Sequence, residues 1–251
     1  HGSLADGLLK PGFSDFDVHY VIDFSLPPDK LVDLMRWIFL SNNYLLNYNP
    51  FMHHGPMLVL EDELAFCSEA ALPSTVIENG VWLIGGVKEI RYAKNDFELV
   101  ETFRQFHDFF ANKFRKAEDI KSIFDVIWWV ATALFLPLLN IQLLNKKSFW
   151  KRDVLINKSK IPAQFCDIID QLTMIRNRTS EYVLARTALP LESKYDVFPP
   201  GYVLNKFKNQ FQLRSEEVNS LGITDELIQK VREYYQYCAV NAVEQNKINF
   251  R

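Results

Sequence analysis

Asp15 and Asp17 stand two residues apart at the head of FDVHYVI (residues 16–22), a run rich in β-branched and aromatic side chains with turn-forming residues upstream. Such a run predicts a strand. Residues i and i+2 of a strand point to one face, so the two carboxylates would project together, with alpha carbons roughly 6 to 7 Å apart. After Ser25-Leu26-Pro27-Pro28, the positions of Leu31, Leu34, Met35 and Ile38 follow the i, i+3, i+4, i+7 rule. They predict a helix from Asp29 to about Leu40 with prolines at its start. The turn His53-His54-Gly55-Pro56 then leads into MLVL (residues 57–60), a short buried strand. The order is strand, helix, strand.

Beyond Lys88 the character changes. Leu99, Val100, Phe103, Phe106, His107 and Phe110 recur at helical spacing, and further helices are expected from about Ala163 to Arg186 and from Thr224, an N-cap followed by Asp225 and Glu226. Gly222 would close the helix before that cap. Residues 190–201 (PLESKYDVFPPG) hold three prolines and a terminal glycine and predict a loop or lid-like connection. The fold class implied is α+β: a small mixed-sheet domain over residues 1–90 and an all-α domain over 91–251, with the boundary near 88–96.

One segment needs testing against a bilayer. Residues 126–139 (VIWWVATALFLPLL) are nearly all apolar. The run is shorter than the roughly 20 residues that span a hydrocarbon core, and Pro137 interrupts it, so a buried core helix is expected. Twenty Phe, ten Tyr and five Trp argue against extended disorder. A net charge of −3 and a pI near 6.0 give no general attraction to nucleic acid or anionic lipid. Cys67, Cys166 and Cys238 are odd in number and widely spaced, which indicates neither a disulfide framework nor a zinc site and fits a cytoplasmic setting.

The chain opens His1-Gly2-Ser3-Leu4-Ala5-Asp6-Gly7 and continues, after a short connection, with Phe13-Ser14-Asp15-Phe16-Asp17-Val18. Over residues 1–22 this pattern resembles the signature of the polymerase-beta-like nucleotidyltransferase superfamily, in which a Gly-Ser turn precedes a strand bearing Ser-Asp-x-Asp. The resemblance implies a nucleotidyltransferase domain whose upstream helix and strand precede Gly2. It also implies Asp15 and Asp17 as ligands of two Mg²⁺ ions, and Gly2, Ser3 and Ser14 as the cradle of a nucleoside triphosphate, ATP by family habit. The physical chemistry agrees: paired carboxylates are hard oxygen ligands suited to Mg²⁺, and a Gly-Ser turn offers close backbone approach and N–H donors to a phosphate.

Members of the superfamily carry a third carboxylate on a neighbouring strand, and MLVL contains none. Glu61, Asp62 and Glu63 follow that strand, and His53 and His54 precede it. A neutral imidazole accepts a hydroxyl proton near neutral pH, which makes His54 or His53 a candidate base, although a His pair in a turn is also an ordinary solvated feature. Glu61 is the alternative, in a run that also reads as a solvated helix start. His19 shares parity with Asp17 but is more readily a packing residue, since magnesium seldom takes imidazole.

A basic cluster at Lys146, Lys147, Lys151 and Arg152, with Lys158 and Lys160, follows the most apolar helix. In similar two-domain nucleotidyltransferases the helical domain supplies a cation to the triphosphate, a role that falls to Lys151 or Arg152. A solvated helix end attracts cations equally well, and Arg176 and Arg178 share that ambiguity. The expected activity is transfer of a nucleoside monophosphate to a hydroxyl acceptor, with a small molecule or protein favoured over RNA. The rivals are a catalytically degenerate nucleotide-binding or scaffold protein and, more weakly, a membrane-associated module.

Overall fold

A computed structural model of the chain describes residues 7–14, 17–48, 57–66, 80–85, 113–145, 155, 158, 161–186 and 211–246. It is mixed α and β. Two compact units are formed, one by His1–Lys94 with Val183–Gln210 and the other by Asn95–Tyr182 with Phe211–Arg251. The expected helical stretch at 99–110, the loop at 190–201 and the basic cluster at 146–152 lie outside the described residues.

In the first unit, β1 (His19–Ile22), α1 (Pro28–Tyr48) and β2 (Met57–Leu60) follow in the order expected from the sequence. The strands pair in parallel, His19 opposite Met57 and Ile22 opposite Leu60. Parallel neighbours need a long crossover, and α1 occupies it. Among the described residues the sheet is this parallel pair, where a mixed sheet was expected. A 3-10 helix, Glu61–Phe66, follows β2 directly. Phe13, Ile22, Ile38 and Leu64 are buried, and Tyr20 of β1 meets Trp37 of α1 edge to face at 6.4 Å. Burial raises the Tyr20 phenol above its ordinary range.

Two expectations need correction. The helix after Pro27-Pro28 runs to Tyr48, well past Leu40. Ser41, Asn42 and Asn43 have the composition of a stop, yet Asn42 sits one turn beyond Ile38 on the buried side, 3% exposed, so tertiary packing carries the helix through them. Pro137 does not end the apolar segment either. α2 (Ile123–Asn145) continues through it with the loss of one N–H donor.

The second unit is helical among its described residues. α2 starts at a side-chain cap: the Asp125 N–H donates to Ser122 Oγ at 3.2 Å, and Ser122 Oγ donates to the Asp125 carboxylate at 2.9 Å. Ile123, Val126, Trp129, Val130 and Ala133 are at most 1% exposed, as a core helix requires. Among the described residues no helix is long and apolar enough to cross a membrane. α3 (Ala163–Arg186) matches its sequence bounds, and its Phe165 lies 4.7 Å and 5.0 Å from the Tyr234 and Tyr237 rings of the last described helix. α4 (Ser215–Ser220) ends at Gly222, whose φ of 94 lets the Ile223 N–H reach back to the Val218 carbonyl at 3.3 Å. α5 (Asp225–Asn246) begins with the Leu227 N–H on Thr224 Oγ1 at 3.2 Å and packs against α2.

Candidate functional site

The segment that leads into β1 is built by a tight turn over Lys10-Pro11-Gly12-Phe13-Ser14. Proline at the second position presets its φ, and Gly12 at the third has φ 75, the combination a type II turn demands. The Lys10 carbonyl accepts from the Phe13 N–H at 3.0 Å and from the Ser14 N–H at 2.8 Å. The Lys10 N–H in turn donates to Ser14 Oγ at 3.0 Å, so the segment is closed on itself from both ends. Phe13 and Ser14 are 5% and 6% exposed. Pro11-Gly12 is the sequence signal for this device.

Asp17 is half-buried and lies two residues before β1. The strand expected from residue 16 begins only at His19, because its ladder starts where Met57 begins β2, and the residue before Met57 is a proline with no N–H to extend the pairing. Strand alternation therefore does not itself relate Asp17 to Asp15, which lies outside the described residues. Asp17 retains accessible surface, and a carboxylate of that kind suits a hard divalent cation. His19 is half-buried as the first residue of β1.

The parallel register separates the acids after β2 from Asp17. His19 and Met57 mark one end of the ladder, Ile22 and Leu60 the other, and about 10 Å of strand lies between them. Asp17 precedes the first end, whereas Glu61 follows the second. Glu63 is also committed locally, its Oε2 accepting the Leu60 N–H at 3.2 Å at the start of the 3-10 helix. His54 lies outside the described residues, as do His53, Gly2 and Ser3. In sequence His54 precedes Met57 by three residues.

Of the cations singled out, Lys151 and Arg152 lie outside the described residues. Lys158 pairs with Asp170. Arg176 is 9% exposed, and burial lowers its guanidinium pKa. Arg178 Nη1 donates to the Leu221 carbonyl at 3.5 Å, which ties α3 to the end of α4. These three are structural parts of the second unit, whereas Asp17 belongs to the first. Among the described residues no group of three or more His, Cys, Asp or Glu side chains could hold a metal ion. Comparison of the chain with family models, with curated proteins and with solved structures gives no match.

Proposed function

We propose that the chain transfers a nucleoside monophosphate from a nucleoside triphosphate, ATP by default, to a hydroxyl of an acceptor. The observation that supports this best is the approach to β1: a self-closed turn ending at buried Ser14, then the Asp15-Phe16-Asp17 segment, then the first strand of a strand–helix–strand unit. Asp15 and Asp17 would hold Mg²⁺, which when bound supplies charge neutralisation of the phosphates and of the departing pyrophosphate. Gly2 and Ser3 would receive the triphosphate through backbone N–H groups. The acceptor oxygen forms a bond to the α-phosphorus as the bond from that phosphorus to the α,β-bridging oxygen breaks. Pyrophosphate leaves and the hydroxyl proton passes to His54. A net charge of −3 favours a small-molecule or protein acceptor over RNA, in a cytoplasmic setting.

A second reading, a nucleotide-binding scaffold without turnover, is favoured by one observation: the acids after β2 fall beyond the far end of the ladder from Asp17. Release of labelled pyrophosphate from each of the four nucleoside triphosphates with Mg²⁺ separates the two. Turnover that disappears in Asp15→Asn/Asp17→Asn supports the transferase. Nucleotide binding without release, across a panel of hydroxyl acceptors, supports the scaffold.

A further inference from the structure

α1 is apolar on more than its buried side. Ile38 and Asn42 lie buried along one side, whereas Val32, Phe39 and Leu40 stand on another with Trp37 and Tyr44 beside them, and Phe24 reaches that side from the turn before the helix. These six side chains are each between 48% and 61% exposed. Phe24, Val32, Phe39 and Leu40 line an open groove of about 630 Å³ together with half-buried Leu31 and Met35 and with Arg36. A helix that is apolar around most of its circumference is one that is covered on both sides. An aromatic side chain carries roughly 150–250 Å², so this face offers on the order of 500 Å² of exposed apolar surface. A stable homodimer takes about 800 Å² from each partner, about 65% of it apolar, which is the same amount.

Charge selects the partner. Every charged residue of α1, Asp29, Lys30, Asp33 and Arg36, is exposed and lies in its N-terminal half, and acids and bases balance. A helix that rests on anionic lipid carries a cationic excess on its polar face, which this balance and a net charge of −3 do not supply. Asp33 and Arg36 stand three residues apart in an ion pair of 3.9 Å whose side chains are largely exposed, so water weakens it and leaves both groups able to take a second partner. A two-fold axis between them turns a second copy of the helix antiparallel. Each Arg36 then meets the other copy's Asp33, and the Phe39-Leu40 end of each helix turns toward the Phe24 end of the other. We infer that the α1 groove is the interface of a two-fold dimer of this chain, in which two α1 helices pack antiparallel with Asp33 of each copy paired to Arg36 of the other. Such an interface is self-complementary, as two-fold symmetry requires. The dimer does not depend on the nucleotidyltransferase reading.

Sedimentation velocity of the full chain over a concentration series tests this, with native mass spectrometry of variants. The wild type should pass from monomer to dimer at about micromolar concentration. Asp33→Arg and Arg36→Asp each place like charges face to face and should each weaken the dimer about tenfold or more. Mixed in equal amounts, the two variants should form a heterodimer with near wild-type affinity, because both ion pairs are restored with their signs exchanged. The double variant Asp33→Arg/Arg36→Asp should likewise dimerise by itself. Recovery in the mixture shows that both single variants fold, since an unfolded partner could not restore the interface. Leu40→Asp should be monomeric with an unchanged circular dichroism spectrum. A wild-type chain that stays monomeric throughout the series would overturn the inference, whether or not it binds phosphatidylcholine vesicles. A dimer that neither single charge reversal weakens, or one that both weaken and the mixture does not restore, would overturn it as well.

Discussion

His19 stands opposite Met57 in a parallel ladder and Ile22 opposite Leu60, so Asp17 precedes one end of the ladder and Glu61 follows the other. That relationship separates Glu61 from Asp17 and leaves His54 as the proposed base. Glu61→Gln should leave pyrophosphate release within about twofold of wild type, whereas His54→Ala should lower it by about 10² to 10⁴, the usual contribution of a general base. Steady-state rates on the same acceptor check both. A large loss in Glu61→Gln would mean that the acid beyond Leu60 reaches the reaction.

Gly222 ends α4 with φ 94, and a Cβ there would come within 2.9 Å of Arg178 Nη1. The guanidinium is the end of a flexible side chain and can yield, so the backbone conformation dominates. Gly222→Ala should lower the unfolding free energy by about 1 to 2 kcal/mol, measured by urea denaturation. Equal stability would show that the turn relaxes out of the left-handed region.

The Cys238 thiol is 0% exposed on α5, and burial pushes its pKa up to about 12 from an ordinary value of 9.0. The folded chain holds this proton more tightly than the unfolded chain does. Its contribution to stability is therefore complete below pH 9 and is lost as the pH rises from about 9 to about 12. Buried Tyr234 and Tyr235 are shifted in the same direction by the same cause. Thermal melts across that range should show a falling midpoint. Iodoacetamide labelling at pH 8 followed by peptide mapping should leave Cys238 unmodified in the folded chain and label it in urea.

Asn42 is 3% exposed on α1, and its buried Nδ2 has no hydrogen-bond partner among the described residues. A buried unsatisfied amide is costly, whereas an apolar side chain of similar size is not. Asn42→Leu should leave the midpoint of thermal unfolding unchanged or raise it by a few degrees. A drop would reveal a polar contact made by this amide when the protein is at work.

Local chemistry made much of the fold readable. MLVL is bounded by Pro56 and by Glu61-Asp62, and β2 occupies those four residues. Pro162 precedes α3 and Thr224 caps α5, each a local signal, and both helices begin where those signals stand. What escaped was set by tertiary contacts. The continuation of α1 past Leu40 depends on burying Asn42, and the start of β1 depends on where its partner begins. The return of Val183–Gln210 to the first unit leaves no local mark. At the site, Ser14 and Asp17 were picked out by residue type. The role of Ser14 as a clasp on Lys10, and the distance of Glu61 from Asp17, emerged only from the turn's hydrogen bonds and the parallel register.

Parallel incubations with ATP labelled at the α- or the γ-phosphorus test the central claim most directly. The account predicts that α-label passes to the acceptor while γ-label appears in pyrophosphate in equal amount, and that both vanish in Asp15→Asn/Asp17→Asn. Release of γ-label as inorganic phosphate, or transfer that survives loss of both carboxylates, would contradict it.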